Sequence, residues 1–150
     1  MSSISADITG DEQVAVRLQN LPNSVRSSLK KAMNEAVIDL RGYVADNKLS
    51  GQLLKVRTGT LRRSITQRVT DDTSSVIGIV GTNVAYAAIH EYGGQIKTRL
   101  GTGKGKPKKN GKAYITMPEK RFLRGSLVDK TESIKERLAI AISEATHGNS

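Results

Sequence analysis

Residues 22–48 read PNSVRSSLKKAMNEAVIDLRGYVADNK, and the order of apolar residues in this stretch decides the fold class. Val25, Leu29, Met33, Ala36, Leu40 and Val44 recur at steps of three or four, the spacing that gathers side chains on one face of a helix. Lys30, Lys31, Glu35, Asp39 and Arg41 fall on the other faces. Pro22 is acceptable in a first turn but not in a helix interior. The long helix is therefore expected over about 22–48, closed by Asn47–Gly51. The same stripe extends backwards through Val14, Leu18 and Leu21, which predicts a separate short helix near 11–20.

Downstream the period changes. After a linker at Gln52–Thr60, Ser64–Thr70 alternates, with Ile65, Gln67 and Val69 set against Thr66, Arg68 and Thr70. Val76–Val80 is β-branched except at Gly78, and Asp71–Ser75 between the two runs has turn chemistry. Together they predict a hairpin. Val84–Tyr92 predicts a short helix ended by Gly93-Gly94, and Ala113–Met117 a strand stopped by Pro118. Leu127, Thr131, Ile134, Leu138, Ala141 or Ile142, and Ala145 mark a last helix. The expected class is α+β: a long N-terminal helix and a C-terminal helix packed on a small, mostly antiparallel sheet.

The 150 residues are one domain's worth of sequence, with residues 1–10 flexible, a basic loop at 95–113 and a frayed tail at 146–150. The hydrophobic fraction of 37% and a single Phe predict a modest core, or a core completed against neighbouring subunits. No cysteine is present, so disulfides and thiolate metal sites are excluded. No run approaches about 18 apolar residues, so no membrane span is expected. The first thirteen residues have neither a basic region nor an apolar run and do not read as a signal peptide.

Charge is concentrated. The chain carries a formal net charge of +10, and seven basic residues with no acidic ones lie between Gln95 and Ala113. They are Lys97, Arg99, Lys104, Lys106, Lys108, Lys109 and Lys112; without them the net charge is +3. A Gly-rich, mutually repelling segment with little apolar content cannot build a core. It suits a polyanion, either DNA in a channel, held through sequence-independent and salt-sensitive phosphate contacts, or an acidic protein surface. The plainer alternative is a solvated loop. Its glycines lack the GxxxxGK[ST] spacing of a phosphate loop, and no aromatics interleave for base stacking.

Catalytic signals are weak. His90-Glu91 lacks the second histidine that a zinc-protease motif places one turn on, since position 94 is Gly94. The other histidine, His147, lies far along the chain. No catalytic, cofactor-binding or metal-binding residue is assigned and no cofactor is expected. Simpler roles suffice: Tyr86 and Tyr92 packed against the sheet, Glu91 paired with an arginine, Thr60 capping the segment after it, and Phe122 beside Leu123 anchoring the last helix.

Three motifs in order resemble a known family, the neck or tail-completion proteins of long-tailed double-stranded DNA bacteriophages, the lambdoid tail-component group. Its TG-x-LR-x-SI motif is matched by Thr58, Gly59, Leu61, Arg62, Ser64 and Ile65; its YA-x-x-x-E-[FY]-G motif by Tyr86, Ala87, Glu91, Tyr92 and Gly93. Its P-x-RPFLRPA motif corresponds to Pro118–Ser126, keeping Phe122, Leu123 and Arg124 but with Lys120-Arg121 and Gly125-Ser126 where Arg-Pro and Pro-Ala are usual. The resemblance spans about residues 11–145. It implies a non-catalytic virion protein, assembled in the host cytoplasm and placed at the head–tail joint. It also implies a homo-oligomeric ring, six-fold to match the tail, with head-completion, terminator and tail-tube proteins as partners and no membrane. The motif residues are expected in structural or inter-subunit roles. The basic loop falls where the family varies, so contact with the DNA lumen or a neighbouring ring rests on charge alone. The alternatives are a tail terminator capping the tail tube and a free, sequence-independent nucleic-acid-binding protein.

Overall fold

A computed structural model describes residues 13–17, 22–51, 59–72, 75–98 and 113–148, with backbone alone at 13–17, 97–98 and 113–114. Several expectations lie outside these residues: the flexible 1–10, Thr58, and Arg99, Lys104, Lys106, Lys108, Lys109 and Lys112 of the basic loop.

The elements run β1 (Gln13–Arg17), α1 (Asn23–Tyr43), a π-helical turn (Val44–Lys48), α2 (Thr60–Ser64), β2 (Thr66–Asp71), β3 (Ser75–Gly81), α3 (Ala87–Tyr92), β4 (Gly94–Thr98), β5 (Ala113–Met117) and α4 (Arg124–His147). The class is α+β, as the periodicities predict. All pairing among the described residues is antiparallel, in two sheets: a three-stranded one ordered β1-β3-β2 and the two-stranded β4-β5.

Helix α1 is the centre of the molecule. Val25, Leu29, Ala32, Met33, Ala36, Val37 and Leu40 are all buried. That stripe is wide because α1 packs on two layers, the β2-β3 part of the sheet and α4. Gly78 in the central strand brings α1 close. A methyl group there would lie 2.4 Å from Val37 Cγ1 and 2.7 Å from Met33 Sδ. Val76 and Val80, on the same face of β3, are buried beside it, so the alternation of β3 is a contact pattern with α1.

Helices α1 and α4 run antiparallel. Asp39 pairs with Arg137 at 2.6 Å, while Lys48, just past α1, pairs with Asp129 at 2.8 Å, eight residues earlier in α4. Tyr43 donates its hydroxyl to the same Asp129 carboxylate. The Lys48 bond holds Asp129 below the usual carboxylate range and raises the Lys48 ammonium above the usual lysine value.

Sequence reading and structure part in several places. Residues 13–17 form a strand where a helix is expected, because Gln13–Arg17 alternates at period two and completes the sheet, with Val14 and Val16 in register with Gly78 and Val76. Thr60, expected as a cap, is the first residue of a short helix entered from Gly59, and no side chain caps it. Gln95–Thr98, assigned to the basic loop, pair with Ala113–Thr116 as a hairpin stem. The predicted single sheet is thus two. The C-terminal helix continues to His147 rather than fraying at 146.

The close α1–β3 approach has a measurable consequence. Gly78→Ala should destabilise the fold by about 1–3 kcal/mol, the usual cost of overpacking. Val37→Ala in the same chain should recover part of that loss, so the two changes combine non-additively in urea unfolding. Strict additivity would mean that Gly78 does not set the helix–sheet distance.

Candidate functional site: a capped helix that roots a hairpin

The second and third motifs meet at one buried carboxylate. Glu91, in the last turn of α3, is 3% exposed. Its Oε2 accepts the backbone N–H of Leu123 at 2.8 Å, and its Oε1 accepts the backbone N–H of Arg124 at 2.9 Å and that residue's Nε at 3.0 Å. The first turn of any helix leaves four N–H groups without an intrahelical partner. No local side chain caps α4, and the residue at its cap position is Leu123. Glu91 supplies the missing acceptor from 32 residues away. Its negative charge also faces the positive end of the helix dipole.

Arg124 closes the arrangement. Its guanidinium reaches the Glu91 backbone carbonyl at 3.2 Å and the Glu119 carboxylate, and lies over the Tyr92 ring at 4.5 Å from the centroid. The bond to Glu91 raises its pKa above the ordinary arginine value. Backbone bonds run alongside: Lys120 N–H donates to the His90 carbonyl at 2.8 Å, and Arg121 N–H to the Glu91 carbonyl at 3.2 Å. Phe122 is fully buried, with Leu123 packed at the edge of the core. Gly93 must remain glycine. Its φ is +69°, and a Cβ would sit 2.8 Å from the Glu119 nitrogen and 2.9 Å from the Met117 oxygen. The chain therefore passes from α3 into β4 directly against the strand end that returns from β5.

Tyr86 and Tyr92, expected against the sheet, are about half exposed. Tyr92 carries the Arg124 cation instead, and Tyr86 meets the His90 ring edge-on at 6.0 Å. Ala87 and Glu91 are the residues of α3 that turn inward.

The first motif forms a second junction. Ile65 is fully buried and Leu61 packs at the core edge. The Ser64 hydroxyl donates to the Leu61 carbonyl at 2.7 Å and shares a 2.6 Å hydrogen bond with Thr82 Oγ1. Arg62 pairs with Asp46 in the π-helical turn at 2.7 Å, and Arg41 Nε donates to the Ile65 carbonyl at 3.0 Å. Sequence reading missed Asp46 and Arg41 as partners. Their spacing from the motif is set by the long helix, and no local pattern marks them.

Of the seven basic residues, Lys97 alone falls among the described ones. Strand β4 carries Lys97 in register with Tyr114, and Arg99–Lys112 lie outside the described residues. At the described part of the stem Gln95, Ile96, Ile115 and Thr116 are all exposed, Ile96 at 38% and Ile115 at 51%, so both of its faces are open to solvent there. Among the described residues no group of three histidines, cysteines, aspartates or glutamates could hold a metal, and no helix is long and apolar enough to cross a membrane.

The capping geometry ranks substitutions. Glu91→Ala strands two backbone N–H groups and the guanidinium, and should cost roughly 3–5 kcal/mol in urea unfolding. Arg124→Met leaves Glu91 both of its backbone donors and should cost clearly less. An equal or reversed ranking would mean that the carboxylate holds the arginine rather than the helix.

The family model described as the phage virion morphogenesis family matches residues 39–143, a span that includes Asp46, all three motifs and the hairpin. No curated protein and no solved structure matches the chain. The chain belongs to the phage virion morphogenesis family, and its role is that of a structural part of a phage virion.

Proposed function

We propose that the protein is a neck or tail-completion subunit. It forms a ring at the phage head–tail joint, six-fold to match the tail, around the passage for DNA. Its partners are further copies of itself and the head-completion, terminator and tail-tube proteins; it touches double-stranded DNA without sequence preference, and its place is the neck of the virion. The role is structural, with no catalysis and no cofactor.

One observation carries this reading: the bare β4-β5 stem. Two-stranded hairpins are at best marginal in water. This one exposes a cross-strand Ile96–Ile115 pair and leads into the segment bearing Arg99, Lys104, Lys106, Lys108, Lys109 and Lys112. An exposed apolar stem calls for a protein neighbour, and a basic tip calls for a polyanion. A ring around DNA supplies both. The family match and the three ordered motifs support the same setting.

The expected consequence is testable in the phage. A chain with Lys104, Lys106, Lys108, Lys109 and Lys112 all changed to Ser should fold normally by circular dichroism. It should fail to complement a phage lacking the gene, leaving filled heads and tails unjoined or heads that lose DNA. Normal yields of infectious particles from that variant would rule out the arm's role.

A further inference from the structure

The first motif forms one wall of an open groove of about 700 Å³, whose other wall is the outer flank of α1. Ile38, Arg41, Ala45, Arg62 and Arg63 line it. Its lining among the described residues holds three arginines and no carboxylate, and Arg62 pairs at 2.7 Å with Asp46 in the adjoining π-helical turn. The described lining is therefore basic. It is also partly apolar, since Ile38 is 46% exposed at its edge.

The complementary surface lies on the same chain. The solvent face of α4 carries Val128, Glu132, Glu136, Ile140 and Glu144 at four-residue intervals, a ridge along the helix. Val128 and Ile140 are 58% and 51% exposed, the most open of the large apolar side chains among the described residues apart from Ile115. Glu132 has a 3.6 Å contact with Lys135, while Glu136 and Glu144 make no ion pair with any described residue. The ridge combines acidic and apolar groups, as the groove combines basic and apolar ones.

These two surfaces cannot meet within one molecule. Asp39 marks the flank of α1 that faces α4, through its pair with Arg137. At 3.6 residues per turn, Ile38, Arg41 and Ala45 point roughly 100–160° away from it. Leu127, Ile134 and Leu138 turn inward, so the ridge on the far side of α4 faces away from α1 altogether. We propose that the arginine groove of one copy receives the α4 ridge of the next. The contact joins two different patches, so it is head-to-tail and closes into a ring if the rotation permits. Binding of DNA in the groove is less well matched, because phosphates would leave Ile38 unused. The inference rests on the ring reading above and names the contact that builds the ring.

The chain has no cysteine, which makes a site-specific crosslink clean. In the full-length protein, Ala45→Cys combined with Ile140→Cys should give a ladder of covalent multimers on mild oxidation. Either change alone should give dimers at most. Adding Glu136→Lys and Glu144→Lys should abolish the ladder, and adding Arg62→Glu and Arg63→Glu to that variant should restore it. Circular dichroism of each variant reports folding separately. Absence of the ladder in the folded double-cysteine protein, a ladder insensitive to charge reversal, or DNA binding lost on R62E/R63E without any ladder would each overturn the proposal. Imaging separates its failure from that of the parent reading: a neck ring without the crosslink removes only this contact, whereas a crosslinked ladder from a protein missing at the neck leaves the contact and removes the location.

Discussion

Glu91 is the group on which the C-terminal half of the molecule depends. It is a buried carboxylate whose two oxygens are taken up by the first backbone N–H groups of α4 and by the Arg124 guanidinium. A buried charge of this kind is tolerable only when fully partnered. That requirement fixes α3, the 118–123 segment and the start of α4 against one another. Because Gly93 and Gly94 come within three residues of it, Glu91 also fixes where the hairpin leaves the body. Phe122 then seats the junction in the core that α1 organises.

The same logic explains why three separated motifs act together. The glutamate of one caps the helix that begins at the Leu-Arg of another. The serine of the remaining motif hydrogen bonds to Thr82, two residues ahead of the turn that opens α3. What the motifs build is a base for an exposed stem. The phage virion morphogenesis family match covers the whole of that base.

Much of this was legible in the sequence where the signal is periodic. The α1 stripe, the β2-β3 alternation and the α4 stripe all reflect burial of one face, and burial is what the pattern encodes. Gln13–Arg17 misled because the apolar residues there continue the α1 stripe in number while alternating at period two; edge pairing with β3, a tertiary event, decides between the two. The stem of the basic loop was hidden for a similar reason. Ile96 and Ile115 are isolated apolar residues amid polar ones, and only register makes them partners. Glu91 was visible as a residue that needs a cation, but its capping role was not, since the cap and the helix are separated by a whole hairpin. Tyr92 was misplaced because an exposed aromatic under an arginine leaves the same sequence trace as a packed one.

Symmetry-resolved imaging of the neck in purified particles tests the central claim most directly. A ring of this chain at the head–tail joint, with the β4-β5 stems pointing at the bore and the 99–112 tips at the DNA or the adjoining ring, is the expected density. Particles that lack the chain at the neck, or that carry it with the stems turned outward to solvent, would refute it.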